Sequence, residues 1–148
     1  MPWLDTAERR TWLALLATTA RLDDVLDRRL QRDADMPLAY YQLLAMLSEA
    51  PGRSMRMSEL AGITQSSQSR ISHAVKRLEG RRWVLRRPCP DDRRSTFAEL
   101  TDAGYAALVA AAPGHVRAVR EHLFDALTAD QVGQLREILA AIRARLPD

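Results

Sequence analysis

Apolar residues recur at helical spacing along most of the chain, and polar or turn-rich stretches divide the pattern. Trp12, Leu15, Leu16, Thr19, Leu22, Leu26 and Leu30 fall on one face of a first helix. Asp5, with Glu8 three residues on, predicts its capping box. The pattern fades in the polar stretch 31–35. Pro37 suits the first turn of a second helix, whose stripe is Tyr40, Leu43, Leu44 and Leu47. Ala50-Pro51-Gly52 ends it.

A link over 53–57 then leads to Ser58, a good N-cap for a brief helix over 59–63. Thr64 and Gln65 predict a turn, and Ser66 or Ser67 caps a longer helix reaching Glu79. Ile71, Ala74, Val75 and Leu78 share one face of that helix; Ser66, Ser69, Arg70, His73, Lys76 and Arg77 share the other. The segments 83–87 and 95–100 read as a two-stranded hairpin around a tip of Pro88, Cys89, Pro90, Asp91 and Asp92. Thr101 caps a further helix, which Pro113-Gly114 should kink or interrupt before it resumes at Val116. Thr128 and Gln131 form a capping box for the last helix, with Val132, Leu135, Ile138, Leu139, Ile142 and Leu146 at helical spacing.

The order of elements is helix, helix, short helix, turn, longer helix, hairpin, helix, helix. This predicts a mainly α fold with a small β-hairpin wing: a winged helix-turn-helix flanked by N- and C-terminal helices. Chain length, 148 residues, suits one body, and no long linker divides it.

Charge changes the picture. The total is only +3, yet residues 53–94 hold eleven basic and four acidic side chains, a net +7. The remainder holds eleven and fifteen, a net −4. A basic middle between acidic flanks points to a nucleic-acid face. The major groove admits one α-helix, and short polar side chains at a helix start reach base edges. An arginine on the wing suits the narrower, more negative minor groove.

Other chemistry is thin. Nucleophile-elbow, phosphate-loop and zinc-protease motifs are absent, so an enzyme is not expected. Neither a cofactor nor a metal is expected, because His73, His115 and His122 form no recognised ligand cluster. Cys89 is the single cysteine, lies between two prolines and has no resolving partner in the chain, so it reads as structural. The longest uncharged stretch, 103–116, falls short of the roughly 18 residues of a membrane span. The first residues lack a secretory pattern, so a cytoplasmic location is expected.

Three stretches resemble the MarR family (multiple antibiotic resistance regulators). They are Met57-Ser58-Glu59-Leu60-Ala61, the run from Ser69-Arg70-Ile71-Ser72-His73 to Lys76-Arg77-Leu78-Glu79, and Asp91-Asp92-Arg93-Arg94-Ser95 followed by Leu100-Thr101 and Gly104. The resemblance implies a homodimeric, sequence-specific regulator of transcription, more often a repressor, that reads a palindromic operator in double-stranded DNA. It implies one body over 1–148, with a DNA-binding part over 53–100 and dimer-forming helices over 1–35 and 101–148. It implies base reading by Ser66, Ser67, Gln68, Ser69, Arg70 and His73, with backbone contacts from Arg77, Arg56 and Arg86. In the wing it implies Asp92 orienting Arg94, beside Arg93, in the minor groove. It also implies a pocket for a small phenolic or lipophilic effector, for which Trp12, Tyr40, Tyr41 and Leu44 are the candidates. One position departs from the family pattern: Arg82 stands before Trp83 where glycine is usual, and the glycine is at 80. Two other readings stay open here, a helical dimeric module for protein partners and a non-specific DNA-coating protein.

Overall fold

The computed structural model describes residues 3–64, 67–92 and 94–147. Its elements run α1 (Thr6–Ala34), α2 (Leu38–Glu49), β1 (Ser54–Arg56), α3 (Met57–Ile63), α4 (Gln68–Gly80), β2 (Val84–Pro88), β3 (Thr96–Leu100), α5 (Asp102–His122) and α6 (Ala129–Arg143). Short 3-10 turns sit at Pro51–Arg53 and Phe124–Ala126.

The predicted box at Asp5 forms: its Oδ1 accepts from the Glu8 N–H at 2.8 Å, and Glu8 accepts from the Asp5 N–H at 2.8 Å. Such reciprocal bonds satisfy two of the donors that a helix start leaves free. Pro37 stands one place before α2 rather than in its first turn, and it has no side-chain group with which to cap. Asp27 of α1 does that work instead, accepting from the Leu38 N–H at 2.8 Å. Leu30, Leu44, Leu47, Leu60, Val75 and Leu78 meet in one continuous core under the helices and the sheet. Burying such side chains contributes roughly 1.5–3 kcal/mol each.

Three further expectations are corrected. The sheet has three strands in the order β1-β3-β2, not two. Residues 54–56, read as a link, pair antiparallel with β3, Ser54 opposite Glu99 and Arg56 opposite Phe97. A three-residue strand is too short to show alternation. Ser58 does not cap α3; it lies inside that helix, which starts two residues earlier than expected because Arg56 holds extended geometry and its N–H donates to Glu59 Oε2 at 3.3 Å. Finally, Pro113 does not interrupt α5, which runs unbroken from Asp102 to His122. Packing of α5 along α1, with Leu108, Ala111 and Ala118 buried, outweighs the hydrogen bond that proline removes. The break falls at Leu123.

The end of α4 explains the departure at position 82. Arg82 N–H donates to Glu79 O at 2.8 Å and Trp83 N–H to Leu78 O at 3.0 Å, the paired bonds of a Schellman stop. That stop needs a left-handed residue, and Arg82 supplies it with φ +60°. Gly80 is simply the last helical residue. Gly104 has a different reason to be glycine. A Cβ there would lie 2.1 Å from the Trp83 carbonyl oxygen, so the start of α5 packs directly on the backbone that follows α4.

Candidate nucleic-acid interface

α3, which ends at its C-cap Thr64, packs against α4. Ile71, Val75 and Leu78 sink into the core, which turns the opposite face of α4 outward. On that face Gln68, Ser69, Arg70, His73, Lys76 and Arg77 are all exposed. Ser67 is the cap: its Oγ accepts from the Arg70 N–H at 3.2 Å. Its hydroxyl oxygen therefore serves the helix start. Ser66 and Arg93 lie outside the described residues.

The wing is β2 and β3, paired from Val84 opposite Leu100 to Pro88 opposite Thr96. Its tip is organised by Asp92, which accepts from the Arg94 backbone N–H at 2.9 Å and from the Ser95 hydroxyl at 2.7 Å. Those two bonds hold the Asp92 carboxyl below the usual carboxylate range. Asp92 thus shapes the backbone that carries Arg94, leaving the guanidinium free. Cys89 is buried at the base of the tip, where its N–H donates to Ser95 O at 2.9 Å.

Between α4 and the wing lies a cleft of about 500 Å³, lined by Gln68, Ser69 and Ser72 of α4, Met57 and Ser58 of α3, and Arg86, Arg94, Ser95 and Thr96 of the wing. Arg70, Lys76, Arg77 and Arg94 make no ion pair among the described residues. Arg56 lies over the Phe97 ring, 5.6 Å from its centroid. Arg86 differs from the free cations, since its guanidinium is held by Ser72 and Glu79 of α4. Nothing in the sequence pointed to Ser72 or Glu79, because no spacing rule pairs a strand residue with positions seven and fourteen residues back on the preceding helix.

The four candidate effector-pocket residues differ in burial. Leu44 is fully buried in the core, and Tyr40 and Tyr41 are partly buried against it. Trp12 sits on the outer half of α1, 49% exposed. Tyr41 meets His115 with tilted rings, centroids 4.3 Å apart, and the buried His115 Nδ1 has no hydrogen-bond partner among the described residues.

No group of three or more potential metal ligands is found among the described residues. Among them, no helix is long and apolar enough to cross a membrane.

Known proteins share this arrangement. A sequence model of the MarR family matches residues 34–95. The structure superposes on Sco3205, a MarR family transcriptional regulator from Streptomyces coelicolor solved in complex with DNA, with TM-score 0.94 and 47% identity. That match covers 100% of this chain and 93% of the other. AbsC, a MarR family regulator of the same organism, matches with TM-score 0.90 and 36% identity over 97% of each chain. The Escherichia coli transcriptional repressor MprA is 28% identical over 106 residues, 72% of this chain. The matched stretch spans 60% of MprA's own length. With 47% identity across its whole length to one such regulator, the chain belongs to the MarR family of transcriptional regulators.

Proposed function

We propose that the protein is a homodimeric repressor that binds a palindromic operator, with α4 in the major groove and Arg94 in the minor groove of each half-site. One observation carries this reading: a polar α4 face and the wing arginine flank one cleft, and their four cations make no ion pair among the described residues. Free guanidinium and ammonium groups on one side of a fold suit phosphates and base edges, whereas a protein partner would not require them. In this reading Gln68, Ser69, Arg70 and His73 face bases, and Lys76, Arg77 and Arg56 face phosphates. The DNA complex of Sco3205 supports the same choice of partner.

The accessible surface of the chain supports the dimer part. The accessible surface is 11109 Å². A compact monomer of this mass exposes about 7,600 Å², so roughly 3,500 Å² is in excess. Much of the apolar part lies on three helices: Trp12, Leu13 and Leu16 on α1, Val109 and Val116 on α5, and Ile138, Leu139 and Ile142 on α6. Two copies together carry about 7,000 Å² of such excess, ample for the roughly 2,000–5,000 Å² that an obligate homodimer buries in all. The winged part over 53–100 then hangs from dimer helices over 1–35 and 101–148. A small phenolic or lipophilic effector that prefers a dimer with the wrong spacing between α4 helices would relieve repression. The partly buried Tyr41, against His115 whose Nδ1 has no hydrogen-bond partner among the described residues, supports a place for it.

Selection from a random-sequence DNA library, followed by fluorescence anisotropy, tests the proposal. An enriched duplex bound far more tightly than its scrambled form, with strong salt dependence, is the expected result. Equal affinity for every duplex favours a DNA-coating protein, and no binding at all favours a module for protein partners.

A further inference from the structure

We propose that Arg86 is a positioning residue that ties the wing to α4, not a phosphate contact. The proposal rests on the DNA-binding reading above and assigns Arg86 a role within it. Arg86 sits on β2, opposite Ala98 of β3. Its Nη2 donates to the Ser72 carbonyl at 2.7 Å and lies 3.4 Å from the Ser72 hydroxyl. Its Nε pairs with Glu79 Oε2 at 3.1 Å. Ser72 and Glu79 are seven residues apart, two turns on one face of α4, so one guanidinium grips the helix at two levels. Both side chains of the ion pair are only 32% exposed.

Three features set Arg86 apart from the cations that face outward. Its charge is balanced by Glu79, which lowers its attraction for phosphate. Two of its three nitrogens already have acceptors, and one acceptor is a backbone carbonyl that cannot move without bending α4. It also stands in the cleft whose opposite edges carry Gln68 and Ser69 on α4 and Arg94 on the wing. The tie therefore sets the angle between the helix that enters one groove and the arginine that enters the other. The planar fork of arginine can hold two acceptors at once, and an ammonium cannot reproduce that geometry. Beside it, Arg87 is likewise paired across the wing with Glu99, so both arginines of β2 are spent within the fold.

The two roles predict opposite results for conservative variants. The probe is the duplex that the wild-type protein enriches from a random library, with its scrambled form as control. Folding is checked by circular dichroism, and binding is measured over a range of salt. Arg86→Lys keeps the charge but loses the fork. We expect at least a tenfold loss of affinity for the enriched duplex, little change with the scrambled one, and an unchanged salt slope. Glu79→Gln makes the surface more positive, yet it should weaken binding to the enriched duplex several-fold. In the double variant the loss should not exceed that of Arg86→Lys alone. Wild-type affinity in Arg86→Lys overturns the tie, as does tighter binding by Glu79→Gln. So does a drop of about one phosphate in the salt slope of Arg86→Ala, which marks a direct contact. Failure of the wild-type protein to enrich any duplex overturns the DNA-binding reading itself, and the tie with it.

Discussion

Single residues hold this fold at places that periodicity does not reveal. The Leu100-Thr101 and Gly104 motif was visible in the sequence, but its cause was not. Thr101 Oγ1 accepts from the Gly104 N–H at 2.9 Å and donates to the Arg82 carbonyl at 2.7 Å, while Gly104 lets α5 touch the Trp83 backbone. Gly104→Ala should destabilise the protein by about 2–3 kcal/mol in urea titration, since only backbone shifts can relieve the clash. Arg82→Gly should have the opposite sign. It relieves a left-handed arginine and frees the unfolded chain, for a net gain of about 0.5–1 kcal/mol. His115 predicts a pH effect. Burial pushes its imidazole below the usual value. It faces Tyr41 of α2, with Arg29 and Asp33 of α1 at the adjoining cavity. The unfolded chain then takes up a proton at His115 near pH 6.5, before the folded one does. Stability is therefore full above about pH 6.5 and falls as pH drops below it towards the folded value. His115→Phe should flatten the dependence of Tm on pH in that window, and an unchanged slope would place the titrating group elsewhere.

At the scale of elements, α4 was legible because its buried stripe and its polar face have opposite character over three turns. The wing was legible because two β-rich segments flank a proline and aspartate tip. β1 was not, since its three residues take their register from β3, which lies forty residues away in sequence. The continuity of α5 through Pro113 was not either, because local propensity argues for a break and only packing on α1 argues against it. The way Asp92 acts was half legible. The resemblance implied that it orients Arg94, and the structure shows Asp92 bonded to the Arg94 N–H rather than to its side chain. Arg94→Ala should therefore leave the tip intact and the helical signal unchanged. It should lower affinity for the enriched duplex and reduce the salt slope by about one phosphate. Arg70→Ala should act differently, costing roughly 1–3 kcal/mol and relaxing preference at one base position, as expected for a base contact. Uniform weakening across all sequences would instead make Arg70 a phosphate contact.

At the scale of the whole molecule, the split between a +7 middle and −4 flanks follows the architecture. The basic part is the winged body, and the acidic part supplies most of the long helices with exposed apolar faces. The sequence shows that those faces exist, but a helical stripe reads the same whether it meets its own core or another chain. The large accessible surface supplies the missing argument for a partner. Sedimentation equilibrium should give twice the 16.7 kDa chain mass. Leu16→Glu together with Ile142→Glu should shift the protein to monomer and weaken DNA binding with it. The most direct test of the central claim is a hydroxyl-radical footprint of the wild-type protein on its enriched duplex. The account predicts two symmetric protected half-sites centred about one helical turn, 10–10.5 base pairs, apart, with protection reaching the minor groove beside each. Even protection along the whole duplex, or a single unpaired half-site, would contradict it.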